Sequence, residues 1–323
     1  MVSISFDRLK GQDTAISLLT RAVSQGRIAP AYLFAGPEGV GRRLAAELFV
    51  EILFSGPQGE TTAALRRRIQ QRNHPDLLWV EPTYLHQGKL VTLTEAQERG
   101  ITRKSPPQIR LEQVRQVAQF LSRPPLETTR AVVVISAAQT MAEGAANGLL
   151  KTLEEPGQAT IILLAPGPQS LLPTLVSRCQ TIPFARLNPD QLQAVLQQVE
   201  QVEQSDILNY PQILAMAQGS PGQAIDAYRQ LESIPTELLT ALQTPPRSLR
   251  DALGQGRQIA KNLDPEAQLW LLDYLLMVYW QTYAQESARW LPHLEKAKEH
   301  LRRFVQPRLV WEVTLMSLWQ GHQ

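Results

Sequence analysis

The sequence contains a single cysteine, Cys179. One thiol excludes an internal disulfide framework and any metal site built from several cysteines. It also fits a reducing compartment. Charge of one sign is not in excess either: 32 basic residues stand against 30 acidic ones, a net charge of +2. A protein that grips nucleic acid by charge alone carries a marked basic surplus, so any DNA contact has to be local or shared with partners. Long hydrophobic runs are missing too. Residues 1–8 hold no signal-peptide core. The apolar stretch 269–279 is interrupted by Asp273 and is too short to span a bilayer. These absences lead to the expectation of a soluble, cytoplasmic protein without a membrane partner. No internal repeat and no low-complexity tract occurs.

What is present is core-forming. The 323 residues suit two or three domains, and 43% of them are hydrophobic. Residues 12–25 place Ala15, Ile16, Leu19, Ala22 and Val23 at helical spacing. The run 31–35 is short and apolar and ends at Gly36-Pro37, a buried strand followed by a turn. Residues 42–54 read as a helix and 77–80 as a second strand. The segment 82–107 is polar and reads as a loop or small excursion. A helix over 111–121 precedes the β-branched run 131–135, which has the composition of a parallel strand covered on both faces. A helix over 141–154 stops at Pro156-Gly157, and 160–164 is another buried strand. Strands alternating with helices over 30–185 predict an α/β domain with a parallel sheet. Beyond Pro183 only helical signals remain. Five of the six tryptophans fall in the last 90 residues: Trp270, Trp280, Trp290, Trp311 and Trp319. They form either a separate helical core or a packing interface.

The segment Gly36-Pro37-Glu38-Gly39-Val40-Gly41 follows a strand and opens a helix, the context of a phosphate-binding loop. Glycines at 36, 39 and 41 let backbone N–H groups approach phosphates, and the helix N-terminus adds a favourable dipole. A working loop continues with Lys, which reaches the β and γ phosphates, and with Ser or Thr, whose hydroxyl ligates magnesium. Here those positions hold Arg42 and Arg43. A guanidinium is planar where the loop suits a compact ammonium. It offers donors and no acceptor, so Arg43 does not ligate magnesium. The strand 132–135 is the place for an acidic pair, yet it is followed by Ser136-Ala137. The two losses together predict a degenerate ATP site, with nucleotide binding in doubt.

Three further stretches carry a family resemblance. Residues 145–156, Ala-Ala-Asn-Gly-Leu-Leu-Lys-Thr-Leu-Glu-Glu-Pro, resemble the helix-and-turn signature of bacterial DNA polymerase III clamp-loader subunits, which belong to the AAA+ superfamily. Ser177-Arg178-Cys179 resembles their serine–arginine–cysteine motif, and it sits after a strand and the expected leucine-rich helix. Leu9-Lys10-Gly11-Gln12, Ala31-Tyr32-Leu33-Phe34 and His74-Pro75-Asp76 are similar to further family signatures. The resemblance is specific over 1–185 and weaker through Gly219-Ser220-Pro221-Gly222. It implies an AAA+ type α/β domain with a degenerate P-loop (1–185), a helical lid (186–232) and a helical collar (233–323). Ala165-Pro166-Gly167 and Gly222 stand where an ATP-hydrolysing member would carry a polar sensor and a sensing arginine. The resemblance therefore implies a non-hydrolysing subunit; the alternative is an active ATPase of the gamma/tau type. Implied partners are the gamma/tau and delta subunits, with the sliding clamp and primer-template DNA engaged through the assembly. Arg178 would act in trans on a neighbour's ATP and magnesium. Without the resemblance Arg178 reads as an ordinary surface arginine. Many members carry a four-cysteine zinc module before His-Pro-Asp; residues 55–73 hold no cysteine, so no zinc and no cofactor of its own is expected. Cys179 reads as a small buried hydrophobe, Glu154 and Glu155 as helix-end surface, and 66–68 as a solvated helix face.

Overall fold

A computed structural model describes residues 6–55, 62–86, 88–92, 95–96, 106–154, 157–203, 206–283 and 287–321. The chain divides into two compact units, 1–191 and 192–323.

The first unit is built on five parallel strands. In chain order β1 is Ala31–Ala35, β2 Leu77–Val80, β5 Ala131–Ile135, β6 Ala159–Ala165 and β7 Gln180–Pro183. Their order across the sheet is β2-β5-β6-β1-β7. In register, Val133 pairs with Ile161, which pairs in turn with Ala31. β1, β5 and β6 are buried at every position, which is why they read as unbroken apolar runs. Side chains alternate across a strand, and this alternation splits the core in two. Tyr32, Phe34, Val132, Val134, Ile162 and Leu164 pack with helices α1 (Asp13–Ser24) and α2 (Arg42–Ser55). Leu33, Val133, Ile135, Ile161 and Leu163 pack with α4 (Leu111–Leu121) and α5 (Glu143–Glu154). A third helix, α3 (Ala63–Gln70), is capped by the Thr62 hydroxyl, which accepts from Leu65 N–H.

Two elements differ from expectation. The polar segment after residue 82 forms an antiparallel hairpin, β3 (Thr83–His86) and β4 (Lys89–Thr92), turning at Gly88 with φ 77°. Four-residue strands offer too few alternations to stand out from a loop. Before Ser177 the predicted leucine-rich helix is a single turn, α6 (Pro173–Val176); Pro173 stands at its first position, where proline starts a helix but cannot continue one from the residues before it. Of the helix-end turn, residues 155 and 156 lie outside the described residues.

The second unit is helical. α7 (Pro189–Glu203) leads into α8 (Pro211–Ala217), α9 (Pro221–Ser233), α10 (Thr236–Leu242), α11 (Leu249–Asn262), α12 (Pro265–Thr282), α13 (Ser287–Arg302) and α14 (Pro307–Gln320). Ser220, Ser248 and Asp264 cap α9, α11 and α12, each side chain accepting a backbone N–H of the first turn. α11 packs on α14, α12 on α13, and α13 on α14. The tryptophans divide between core and surface. Trp290 and Trp311 are fully buried, whereas Trp280 is 61% exposed. Trp311 Nε1 donates to Gln268 Oε1 at 2.9 Å. Trp290 meets Tyr279 and Tyr283 edge-on.

Candidate functional site: a phosphate-type loop and an exposed arginine

The loop 36–41 leaves the end of β1 between its neighbours β6 and β7. Gly36 N–H donates to Ala165 O at 3.2 Å. A Cβ on Gly36 would lie 2.3 Å from the carbonyl oxygen of Phe184, so only glycine fits there. Gly41 has φ 102°, and α2 begins at the next residue. The loop is held from below by Gln12, which is 3% exposed. Its Nε2 donates to Val40 O at 3.1 Å and to Ala185 O at 2.7 Å, and its Oε1 accepts from Ala185 N–H at 3.0 Å. In the sequence Gln12 stands out only by family likeness; its clamping role depends on a contact across 173 residues and has no local signature.

Arg42 is half-buried, and burial pulls its guanidinium below the ordinary arginine range against the opposing field of Glu38. Arg43 points into a cluster. Its Nε lies 3.1 Å from Glu47 and its Nη1 3.9 Å from Glu81. The guanidinium sits over the Trp79 ring at 5.5 Å, and that of Arg72 does so at 5.4 Å. Arg72 Nη2 bonds Glu81 Oε1 at 2.6 Å. Trp79 Nε1 donates to the Ser136 hydroxyl at 2.8 Å. Ser136 at the end of β5 is thus engaged with an indole, and Ala137 follows in a left-handed conformation, φ 48°. The cluster joins α2, β2 and β5 where sequence reasoning looked only for a missing acid.

Arg178 follows α6. Its side chain is 37% exposed. Nη2 bonds Glu154 Oε1 at 2.7 Å and Nη1 donates to Thr174 O at 3.0 Å. Its partners among the described residues therefore lie on α5 and α6 and not in the loop 36–41. Glu154 is a helix-end surface residue, as expected, but it also holds Arg178. Cys179 is half-buried against the second core cluster rather than fully buried, and burial pushes its thiol up to about 11. Gly222 lies in the first turn of α9. The arginines at 66 and 68 are less free than a solvated face implies. Arg66 pairs with the buried Glu51 at 3.2 Å, and Arg68 makes two bonds to Glu127, at 2.7 and 3.0 Å.

His74-Pro75-Asp76 builds a loop anchor. Asp76 accepts from the backbone N–H groups of Leu126, Glu127 and Thr128 at 2.6–2.8 Å and from the Thr128 hydroxyl at 2.9 Å. Burial alone would raise its carboxyl; the four donors outweigh that and hold it below the usual aspartate range. His74 is buried, stacks on Phe54 at 4.5 Å, and accepts the Asp76 N–H at Nδ1. Burial and Arg68 lower its affinity for a proton more than Glu127 and Asp76 raise it.

Residues 11–188 match the family described as DNA polymerase III, delta subunit, and residues 190–318 match the cyanobacterial DNA polymerase III delta prime C-terminal domain. The chain belongs to the delta-prime family of DNA polymerase III subunits. It is 32% identical to DNA polymerase III subunit delta' of Bacillus subtilis over 225 residues, which cover 68% of this chain and 60% of that protein. It is 34% identical to the delta' subunit of Pseudomonas aeruginosa over 158 residues, 47% of this chain and 42% of that one. The matched region thus spans less than two thirds of either delta' relative. Among solved structures, a DNA polymerase III gamma subunit-related protein of Thermotoga maritima superimposes with a TM-score of 0.56 at 17% identity, over 96% of this chain and 100% of that one. That likeness is one of fold, a parallel sheet with a helical C-terminal region. Among the described residues no helix is long and apolar enough to cross a membrane.

Proposed function

We infer that this delta-prime family chain is a clamp-loader subunit that does not hydrolyse ATP and lends Arg178 to the ATP site of a neighbouring subunit. The observation that carries the first half is the environment of Arg43. A magnesium-bound nucleotide needs an oxygen ligand at that position and a carboxylate at the end of β5. Position 43 instead carries a cation directed at Glu47 and Glu81. At positions 136 and 137 stand a hydroxyl engaged by Trp79 and a methyl group. These side chains do not fit magnesium–ATP, and no chemical step is assigned to the loop.

The second half rests on Arg178 being exposed and held, among the described residues, by surface contacts. An exposed ion pair is worth about 0–1 kcal/mol, so exchanging Glu154 for a more highly charged phosphate costs little. An arginine supplied in trans to a transferring phosphoryl group contributes on the order of 10³–10⁵ in rate. The assembly would contain gamma/tau and delta subunits, with sliding clamp and primed DNA bound by the whole, in the cytoplasm. Residues 186–232 would serve as lid and 233–323 as collar. No zinc or other cofactor is assigned to the chain.

The test is ATP hydrolysis by the reconstituted loader with clamp and primed DNA, comparing wild type with Arg178→Ala. The isolated chain is expected to show no turnover. The variant is expected to assemble normally and to lower hydrolysis at least tenfold. Turnover by the isolated chain would sink the non-hydrolysing reading, and unchanged rates in the variant would sink the role of Arg178.

A further inference from the structure

Magnesium in a working phosphate-binding loop is held from two sides, by the hydroxyl at the start of the helix and by an acid at the end of a strand. Those two points are here residue 43, the second of α2, and residues 136–137, just past β5. The chain joins them with its own side chains. The Arg43 guanidinium lies over the Trp79 ring at 5.5 Å, and Trp79 Nε1 donates to the Ser136 hydroxyl at 2.8 Å. Ser136 N–H in turn donates to Val80 O at 2.9 Å. Three side chains thus lead from α2 across β2 to the end of β5.

A second guanidinium joins them, and the backbone is strained to deliver it. Arg72 lies over the same ring at 5.4 Å and bonds Glu81 Oε1 at 2.6 Å, with Arg43 Nη1 3.9 Å from that same oxygen. Arg72 stands just past α3. Its N–H donates to Ile69 O at 3.0 Å, and the N–H of Asn73 donates to Arg68 O at 2.8 Å. This paired pattern closes a helix on a left-handed residue, usually glycine. Arg72 has φ 57°, where any Cβ is strained. Glycine would suit the backbone better, so the position is explained by its side chain.

The loop 36–41 is therefore gripped on both flanks. On the β7 side Gln12 ties Val40 to Ala185. On the β2 side Arg43 ties the first turn of α2 to Trp79, Glu47 and Glu81. The charges of this second grip balance, with Arg43 and Arg72 facing Glu47 and Glu81. The contacts also share partners: one ring faces both cations, and one carboxylate oxygen lies near both. Groups that share partners in this way reinforce one another, so loss of either cation loosens the rest.

We propose that Arg43, Arg72, Trp79 and Glu81 form an internal bridge that takes over the structural part of magnesium–nucleotide. The bridge holds the loop 36–41 and the first turn of α2 in one conformation whether or not nucleotide is offered. The proposal rests on the reading of this loop as one without ATP chemistry. It adds what keeps such a loop in shape.

The experiment is hydrogen–deuterium exchange of the full chain, read by mass spectrometry over residues 34–46, with and without magnesium–ATP. One variant is Arg43→Ala, at a side chain 58% exposed. The other is Arg72→Gly, which removes the guanidinium and relieves the backbone. In wild type, magnesium–ATP is expected to leave the exchange unchanged. Arg43→Ala is expected to speed exchange over 34–46 about tenfold and Arg72→Gly about threefold, with β6 exchanging as in wild type. Unchanged exchange in Arg43→Ala overturns the proposal. So does an Arg72→Gly chain that melts higher than wild type with the loop undisturbed, which would make Arg72 no more than a strained helix end. Slowing of wild-type exchange by magnesium–ATP overturns it too, because nucleotide would then be the ordering element. If faster exchange in Arg43→Ala extends into β6, Arg43→Lys decides. Partial return of protection over 34–46 supports the bridge, and no return overturns it. ATP turnover is measured on the same preparations. Turnover by wild type removes the non-hydrolysing reading and the bridge with it. No turnover, with unchanged exchange in Arg43→Ala, removes the bridge alone.

Discussion

Removing the carboxylate of Asp76 leaves the backbone N–H groups of Leu126, Glu127 and Thr128 without their acceptor. These donors are part-buried, so water replaces some of the lost bonding, and Asp76→Ala is expected to destabilise by about 1–3 kcal/mol, read by denaturant unfolding. The same carboxyl ties stability to pH. Its folded affinity for protons lies below the ordinary value of 3.8, so its contribution is complete above that pH and is lost as the pH falls through the folded value. His74, also depressed from 6.5, acts in the same direction at higher pH: stability is full above about 6.5 and declines as the pH falls below it. His74→Gln is expected to flatten the upper part of this acid decline, and an unchanged profile would refute the assignment. At Arg178 the scale of effect is different. Glu154→Gln removes an exposed pair worth about 1 kcal/mol at most, so loader ATPase is expected to stay within about fivefold of wild type. A loss as large as that of Arg178→Ala would make Glu154 part of the phosphoryl-transfer machinery. The sequence shows Arg178 and its flanking motif but not Glu154 as its partner, because the pair spans 24 residues and two helices.

Among elements, legibility follows burial. β1, β5 and β6 are covered on both faces, and their composition alone marks them. The hairpin 83–92 has strands with only one buried residue each, so its alternation is too faint to read. The loop 36–41 was legible from its glycines, but not the reason each is needed. Gly36 faces a carbonyl 2.3 Å from any added Cβ. Gly36→Ala therefore has to push β1 and the end of β7 apart, and a drop in melting temperature is expected with no compensating gain. Gly26→Ala is the useful contrast: nothing lies within 4 Å of its Cβ, and only its φ of +62° resists the change. It is expected to cost less. The Arg43–Trp79–Ser136 cluster was half legible. The absence of Thr and acid could be read from the sequence. That an indole, two guanidiniums and Glu81 meet there depends on β2 lying beside β5, which no local pattern reveals.

For the molecule as a whole, the tryptophan-rich second unit gives a direct optical test. Trp290 and Trp311 are enclosed while Trp280 is open to solvent. Iodide is expected to quench an accessible fraction of the fluorescence, and Trp280→Phe is expected to remove most of that fraction without shifting the emission of the buried pair. Loss of the buried emission instead would show that Trp280 supports the core. The sequence placed these residues in one helical region but left open whether they were core or interface, because a helix apolar on every side, such as α12, carries no directional pattern. In the first unit the long-range tie is Gln12. One amide joins Val40 in the loop to Ala185 just past β7. A pull on the chain where it leaves the sheet is therefore delivered to the loop by a side chain as well as through the β1–β7 pairing, a mechanical shortcut from strand exit to loop.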